Sequence, residues 1–142
     1  MLVPALLGVA LLAGCGGGDD SSSTATALTK AEFLKQGNAI CAKGNKATDQ
    51  LVNQTFTQGK KPTEAQLEKF TSQAAPIVQQ QIDGLRALGA PTGGEQQVNQ
   101  ILDDAQSALD MVKQDPSLFL KGDPFKKANQ EAKAYGLSAC AG

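Results

Sequence analysis

From Thr29 to Gln114 the apolar residues return every three or four positions in three separate runs, each framed by residues that start or stop a helix. That period commits the backbone to helices, because a half-buried strand would alternate apolar and polar residues instead. The first run carries Phe33, Ile40, Ala47, Leu51 and Val52 and is stopped by Gly59-Lys60-Lys61-Pro62, which predicts a helix from Lys30 to about Thr57. Its entry, Thr29-Lys30-Ala31-Glu32, has the spacing of a capping box, in which the Thr and Glu side chains satisfy each other's backbone N–H groups. Thr63-Glu64-Ala65-Gln66 is a second such box and opens a helix with Leu67, Phe70, Ala74, Ile77, Leu85 and Leu88 on one side. Pro76 falls inside this stripe and is expected to kink or break the helix, since it removes one backbone donor.

Gly89 to Gly94 reads as a turn, with Thr92 and Glu95 placed to cap the next helix. That helix, Glu95 to Gln114, presents Val98, Ile101, Leu102, Ala105, Leu109 and Val112 on one side. Asp115-Pro116 starts a short turn through Leu120, closed by Gly122. Asp123-Pro124 then supplies the cap and first residue of a last helix, Pro124 to Tyr135, with Gly136 as its C-terminal stop and Leu137 folding back against it. Four amphipathic helices with short links define an all-α domain over residues 28–142, expected as a small antiparallel four-helix bundle.

The chain ahead of this domain has a different character. An apolar stretch, Ala5 to Leu12, is followed by Ala13, Gly14 and Cys15, and then by the Gly- and Ser-rich segment Gly16 to Ala27. The apolar stretch is too short for a membrane span of roughly 20 residues but suits the central region of a signal peptide. Helix through Gly14 and Gly16-Gly17-Gly18 would lose about 1 kcal/mol per glycine, so a buried first helix is disfavoured. Residues 1–4 (MLVP) carry no Lys or Arg, so the positive n-region is expected upstream of Met1. Leu12-Ala13-Gly14-Cys15 resembles the lipobox of bacterial lipoproteins. The resemblance implies cleavage between Gly14 and Cys15 and attachment of diacylglycerol to the Cys15 sulfur. Residues 1–14 are then a signal peptide, and residues 15–27 a lipidated cysteine with a flexible tether. A tether of this length spans about 20 Å, which confines the domain to the outer face of the plasma membrane.

A lipidated chain is an exported one, and exported cysteines tend to pair. With Cys15 committed to lipid, Cys41 and Cys140 remain, and a single intrachain bridge joins them. It would staple the C-terminus to the first helix across nearly the whole domain, for about 4–5 kcal/mol in the chain-entropy model.

The rest of the composition narrows the chemistry. Histidine is absent, which removes the commonest general base and transition-metal ligand. With 13 basic and 14 acidic residues there is no polybasic stripe for nucleic acid. Asp103-Asp104 are helix neighbours that diverge by about 100°, so they read as a solvated face rather than a metal site. Lys60-Lys61 and Lys126-Lys127 read as surface charge, Gln79-Gln80-Gln81 as a polar helix face, and Tyr135 as a core residue whose hydroxyl reaches a polar partner. No catalytic set, cofactor or metal is expected.

Three segments, Thr29-Lys30-Ala31-Glu32-Phe33, Asn38-Ala39-Ile40-Cys41 and Ala134-Tyr135-Gly136-Leu137 with Cys140, resemble small uncharacterised lipoproteins of high-GC Gram-positive bacteria. The resemblance covers most of residues 28–140 and implies a paired-cysteine helical domain outside the plasma membrane, with no activity attached. Two functions are consistent with this chain. The first is a non-catalytic domain that binds a protein or envelope component. The second is a carrier that holds a small apolar ligand between helices, in an enclosed cavity of roughly 300 Å³ or more lined by residues such as Phe33, Phe70, Phe119 and Phe125.

Overall fold

A computed structural model describes residues 27–142; the expectations at Gly14, Cys15 and the tether lie outside the described residues. The described chain is all-helical: α1 (Lys30–Thr55), α2 (Glu64–Leu88), α3 (Glu95–Gln114), a 3-10 segment (Pro116–Leu120), α4 (Lys126–Tyr135) and a C-terminal 3-10 segment (Ser138–Ala141). Consecutive helices pack in order, and the C-terminal segment lies against both α4 and α1, so the tail closes the bundle.

Both capping boxes form. Glu32 Oε2 accepts from the Thr29 N–H at 2.9 Å, and Thr29 Oγ1 accepts from the Glu32 N–H at 3.3 Å. In the second box Gln66 Oε1 accepts from the Thr63 N–H at 3.0 Å, while its amide nitrogen donates to the Thr55 carbonyl at 2.9 Å. Gln66 therefore caps the start of α2 and ties down the end of α1. That end comes two residues before Thr57, because Phe56 turns to extended backbone and packs its ring against Phe70 at 5.2 Å.

Pro76 does not break α2, which continues to Leu88. Pro76 and Ser72 are both exposed, so water reaches the one carbonyl that the missing donor leaves free. Thr92 is not the cap of α3; Gly94 holds that place with no side-chain cap bond. Gly94 is there for packing, since a Cβ would run into the Tyr135 hydroxyl. At α4 the Asp123 carboxylate accepts from the Phe125 N–H at 2.9 Å as expected, but Pro124 and Phe125 form a turn and the helix starts at Lys126. Gly136 ends it in a left-handed conformation (φ 112°), with the Leu137 N–H donating to the Ala132 carbonyl at 2.9 Å and Leu137 fully buried.

The core matches the expected stripe on α3, where Val98, Ile101, Leu102, Leu109 and Val112 are all buried. On α1 it does not. There Ile40, Ala47 and Leu51 are half-buried, Val52 is exposed, and the buried line is Phe33, Gly37, Cys41 and Gly44. Small residues are needed on this line because neighbours come in close. A Cβ at Gly37 would lie 2.8 Å from Leu137 and 2.9 Å from Leu85, and one at Gly44 would collide with the Gln81 amide.

The tail is held on α1 by three neighbouring positions. Cys41 and Cys140 are joined by a disulfide with Cα atoms 5.0 Å apart. One turn before it, the Asn38 amide donates to the Gly136 carbonyl at 3.1 Å and accepts from the Ala139 N–H at 2.8 Å. One turn after it, Asn45 donates to the Ala139 carbonyl at 2.6 Å. Bridging residues 99 positions apart gives about 4–5 kcal/mol in the chain-entropy model. The double variant C41S/C140S is expected to lose on the order of 4 kcal/mol in denaturant unfolding and to become insensitive to reductant. Reductant should lower the wild-type midpoint by a similar amount; an unchanged midpoint would show that the asparagines hold the tail unaided.

Candidate functional site

Two apolar hollows open between the helices. The first, about 190 Å³, is walled by Phe70, Ala74 and Val78 of α2, Leu109 and Val112 of α3, and by Phe119 and Phe125 from the chain between α3 and α4. The second, also about 190 Å³, runs between α2, α3 and α4 past Ile82, Leu85, Ile101, Ala105 and Ala132, with both bonded cysteines in its wall. Asn45, Val78, Gln81 and Phe125 line both, so the hollows are adjoining lobes of one cleft.

The polar groups of this divider are already used on the frame. Gln81 donates to the Cys41 carbonyl at 2.9 Å and to Asn45 Oδ1 at 3.3 Å, while Asn45 donates to the tail. The divider is thereby fixed by α1, α2 and the C-terminus together. Aromatic contacts set the far wall, with Phe70 and Phe119 edge-on at 6.2 Å. Thr71 also lines the first hollow; it is 5% exposed, and its hydroxyl has no hydrogen-bond partner.

Of the four phenylalanines expected around a cavity, Phe70, Phe119 and Phe125 line one and Phe33 does not. Phe33 is fully buried in the core, edge-to-face with Tyr135 at 6.3 Å, because it begins the close-packed line of α1. Tyr135 is a core residue as expected, but its hydroxyl finds no partner. The hydroxyl is pressed against Gly94, and burial with the nearby Glu95 charge raises its pKa. Lys30 sits 4.4 Å above the ring. The glutamine run is not simply a polar helix face. Gln79 exchanges two hydrogen bonds with Gln106 of α3 (2.9 and 3.0 Å) and Gln81 ties α2 to α1, leaving Gln80 as the exposed member.

Asp103 and Asp104 diverge as their helical offset requires, Asp103 toward Arg86 at 3.5 Å and Asp104 toward Lys127 at 2.9 Å. Asp104 is nevertheless no solvated face, since its side chain is 19% exposed and accepts hydrogen bonds from Gln100 at 2.8 Å and from Lys127 of α4. Lys127 is exposed, as expected of surface charge, and its ammonium bridges Asp104 and Glu131. Hydrogen bonds from Gln100 and Lys127 hold the Asp104 carboxyl below its usual pKa. Burial of Oε2, followed by the neighbouring Asp104, pushes Glu131 the other way. The cluster ties α3 to α4 and lies outside the lining of both hollows. Among the described residues no three His, Cys, Asp or Glu side chains gather as metal ligands.

In comparisons with protein-family models, with curated proteins and with solved structures, nothing matches this chain.

Because the folded state favours the protonated Glu131, its contribution to stability is present at low pH and lost as pH rises above the ordinary 4.5 through the raised value. Asp104 behaves oppositely, contributing above 3.8 and losing that contribution as pH falls through its lowered value. Glu131→Gln keeps the size and hydrogen bonding of the side chain without the repulsion. It should raise Tm at pH 7 and remove the decline that sets in as pH rises above 4.5. A lower Tm at pH 7 would show that attraction to Lys127 outweighs the repulsion.

Proposed function

We propose that this chain is an exported, lipid-anchored, non-catalytic binding domain, and that the cleft between its helices holds a small apolar ligand. The anchor is diacylglycerol on Cys15, exposed by cleavage after Gly14, which places the domain on the outer face of the plasma membrane. The Cys41–Cys140 bond supports an oxidising, extracytoplasmic setting and uses the two domain cysteines on each other.

The observation that carries the ligand reading is the pair of adjoining apolar hollows whose shared divider is locked to the disulfide-bonded frame. Sequence alone put a protein or envelope component first and a small apolar ligand second. The cleft favours the second. Each hollow is smaller than the expected 300 Å³ and half-open rather than enclosed, but about 150 Å³ of apolar space suffices for a ligand the size of benzene. Two such lobes in line suit a slender ligand.

Exchanging Cys15 for alanine should release the protein into the medium, whereas the wild type stays with membranes; a variant retained on membranes would sink the anchor. The released protein is expected to bind N-phenyl-1-naphthylamine saturably with enhanced fluorescence. Ala75→Phe, at a half-buried position lining the first hollow, should weaken that binding at least tenfold. Binding that is non-saturable or indifferent to Ala75→Phe would overturn the ligand reading.

A further inference from the structure

We infer that the side of the bundle formed by α1, the C-terminal tail and α4 docks on the anionic headgroup surface of the membrane; this rests on the lipid-anchor reading above. Charge is spread unevenly over the four helices. α1 and α4 together carry seven lysines and three carboxylates, whereas α2 and α3 carry three basic groups and seven carboxylates. Helices pack in chain order and the tail bridges α4 and α1, so the two basic helices make one side and the two acidic helices the other. No run of lysines in the sequence announces this side. It exists because the tail brings the two ends of the domain together.

Four lysines frame the tail. Lys35 lies one turn before Asn38, which bonds to Gly136 and Ala139, and Lys46 follows three turns after Lys35 at nearly the same angle. On α4, Lys126 and Lys133 come three residues before and four after Asn129, whose amide lies beside Gly142 of the tail. All four are exposed, and Lys35 and Lys46 point away from the buried line of Phe33, Gly37 and Gly44. Among the described residues the ion pairs use Arg86, Lys113, Lys121 and Lys127 and none of these four. Of the carboxylates on α1, Glu32 is held in the Thr29 cap and Asp49 lies beyond Lys46, at opposite ends of the row. The exposed side chains between Lys35 and Lys46 on this side are Ala39 and Ala42, too small to hold the ammonium groups off a flat surface.

An anionic phospholipid surface is the partner this side fits. With the anchor at Cys15, a tether of about 20 Å joins the bilayer to the start of α1, one of the two basic helices. The four lysines are therefore kept within reach of phosphate headgroups, where each cation strengthens binding about fivefold over a range of about 8 Å. The acidic α2 and α3 are repelled by the same surface, so attraction and repulsion select one orientation.

The test places the full-length lipidated chain in vesicles of phosphatidylcholine, alone or mixed equally with phosphatidylglycerol. Lysines are acetylated with sulfo-N-hydroxysuccinimide acetate and read by mass spectrometry. With phosphatidylglycerol present, Lys35, Lys46, Lys126 and Lys133 should be labelled about fivefold more slowly or less, while Lys60, Lys69 and Lys113 keep their rates. High salt should abolish the protection. Exchanging Lys126 and Lys133 for glutamine should return Lys35 and Lys46 toward their phosphatidylcholine rates with Tm unchanged. Equal labelling in both vesicles, protection that survives high salt, or protection centred on Lys60 and Lys61 would overturn the inference. In cells the protection should persist after the wall is digested; its loss would assign this side to a wall polyanion and overturn the membrane contact. The anchor is judged separately: a Cys15 without diacylglycerol in the mass spectrum takes both readings down, whereas a lipidated chain without protection takes down only the docking.

Discussion

Attachment of the C-terminal tail to α1 is the contact on which the remaining packing depends. Asn38, Cys41 and Asn45 occupy successive turns of one helix face and grip the segment from Gly136 to Cys140 by amide hydrogen bonds and a covalent bond. Leu137, carried on that segment, is thereby pushed into the core against Gly37 and Leu85. Without the tail, α4 would meet α1 chiefly through Tyr135 at its last turn, and the bundle would stay open along one side. The covalent link acts mostly on the unfolded chain, whereas the asparagine bonds act on the folded one. Together they fix the position of the tail as well as its attachment.

The cleft inherits its rigidity from that closure. Gln81 crosses from α2 to the backbone carbonyl of Cys41 and to Asn45, so the divider between the two hollows is fastened to the residues that hold the tail. The opposite wall is assembled from three places in the chain: Phe70 on α2, Phe119 in the 3-10 segment and Phe125 in the turn before α4. Three rings from separate elements leave a hollow between them where one continuous helix face would pack flat.

Much of this fold was legible in the sequence. The capping boxes at Thr29 and Thr63, the Gly136 stop and the apolar stripe of α3 are local signals, and the structure honours them because each needs only residues a turn apart. The site was legible in part. Phe70, Phe119 and Phe125 were candidates by type, yet nothing in their spacing separated them from Phe33, which the core absorbs. Gly37 and Gly44 carry no hydrophobic signal, so the true buried face of α1 was hidden behind the neighbouring Ile40 and Leu51. Gln81 read as part of a polar helix face, and the roles of Asn38 and Asn45 were not legible, because the partners of all three lie far away in the chain. Thr71 carried no signal at all, since an unpaired hydroxyl is a property of the packed state.

What the sequence determined by itself is the set of helices, their boundaries to within about two residues, and the pairing of Cys41 with Cys140. Helix period and caps are decided over short stretches before any packing occurs, and the cysteine pairing followed from setting Cys15 aside as the expected lipid site. The tertiary structure alone decided which face of α1 is buried, which phenylalanines border open space, and where a polar atom is stranded among apolar ones. Those outcomes depend on how closely two surfaces approach, and that distance is set jointly by side chains far apart in the chain.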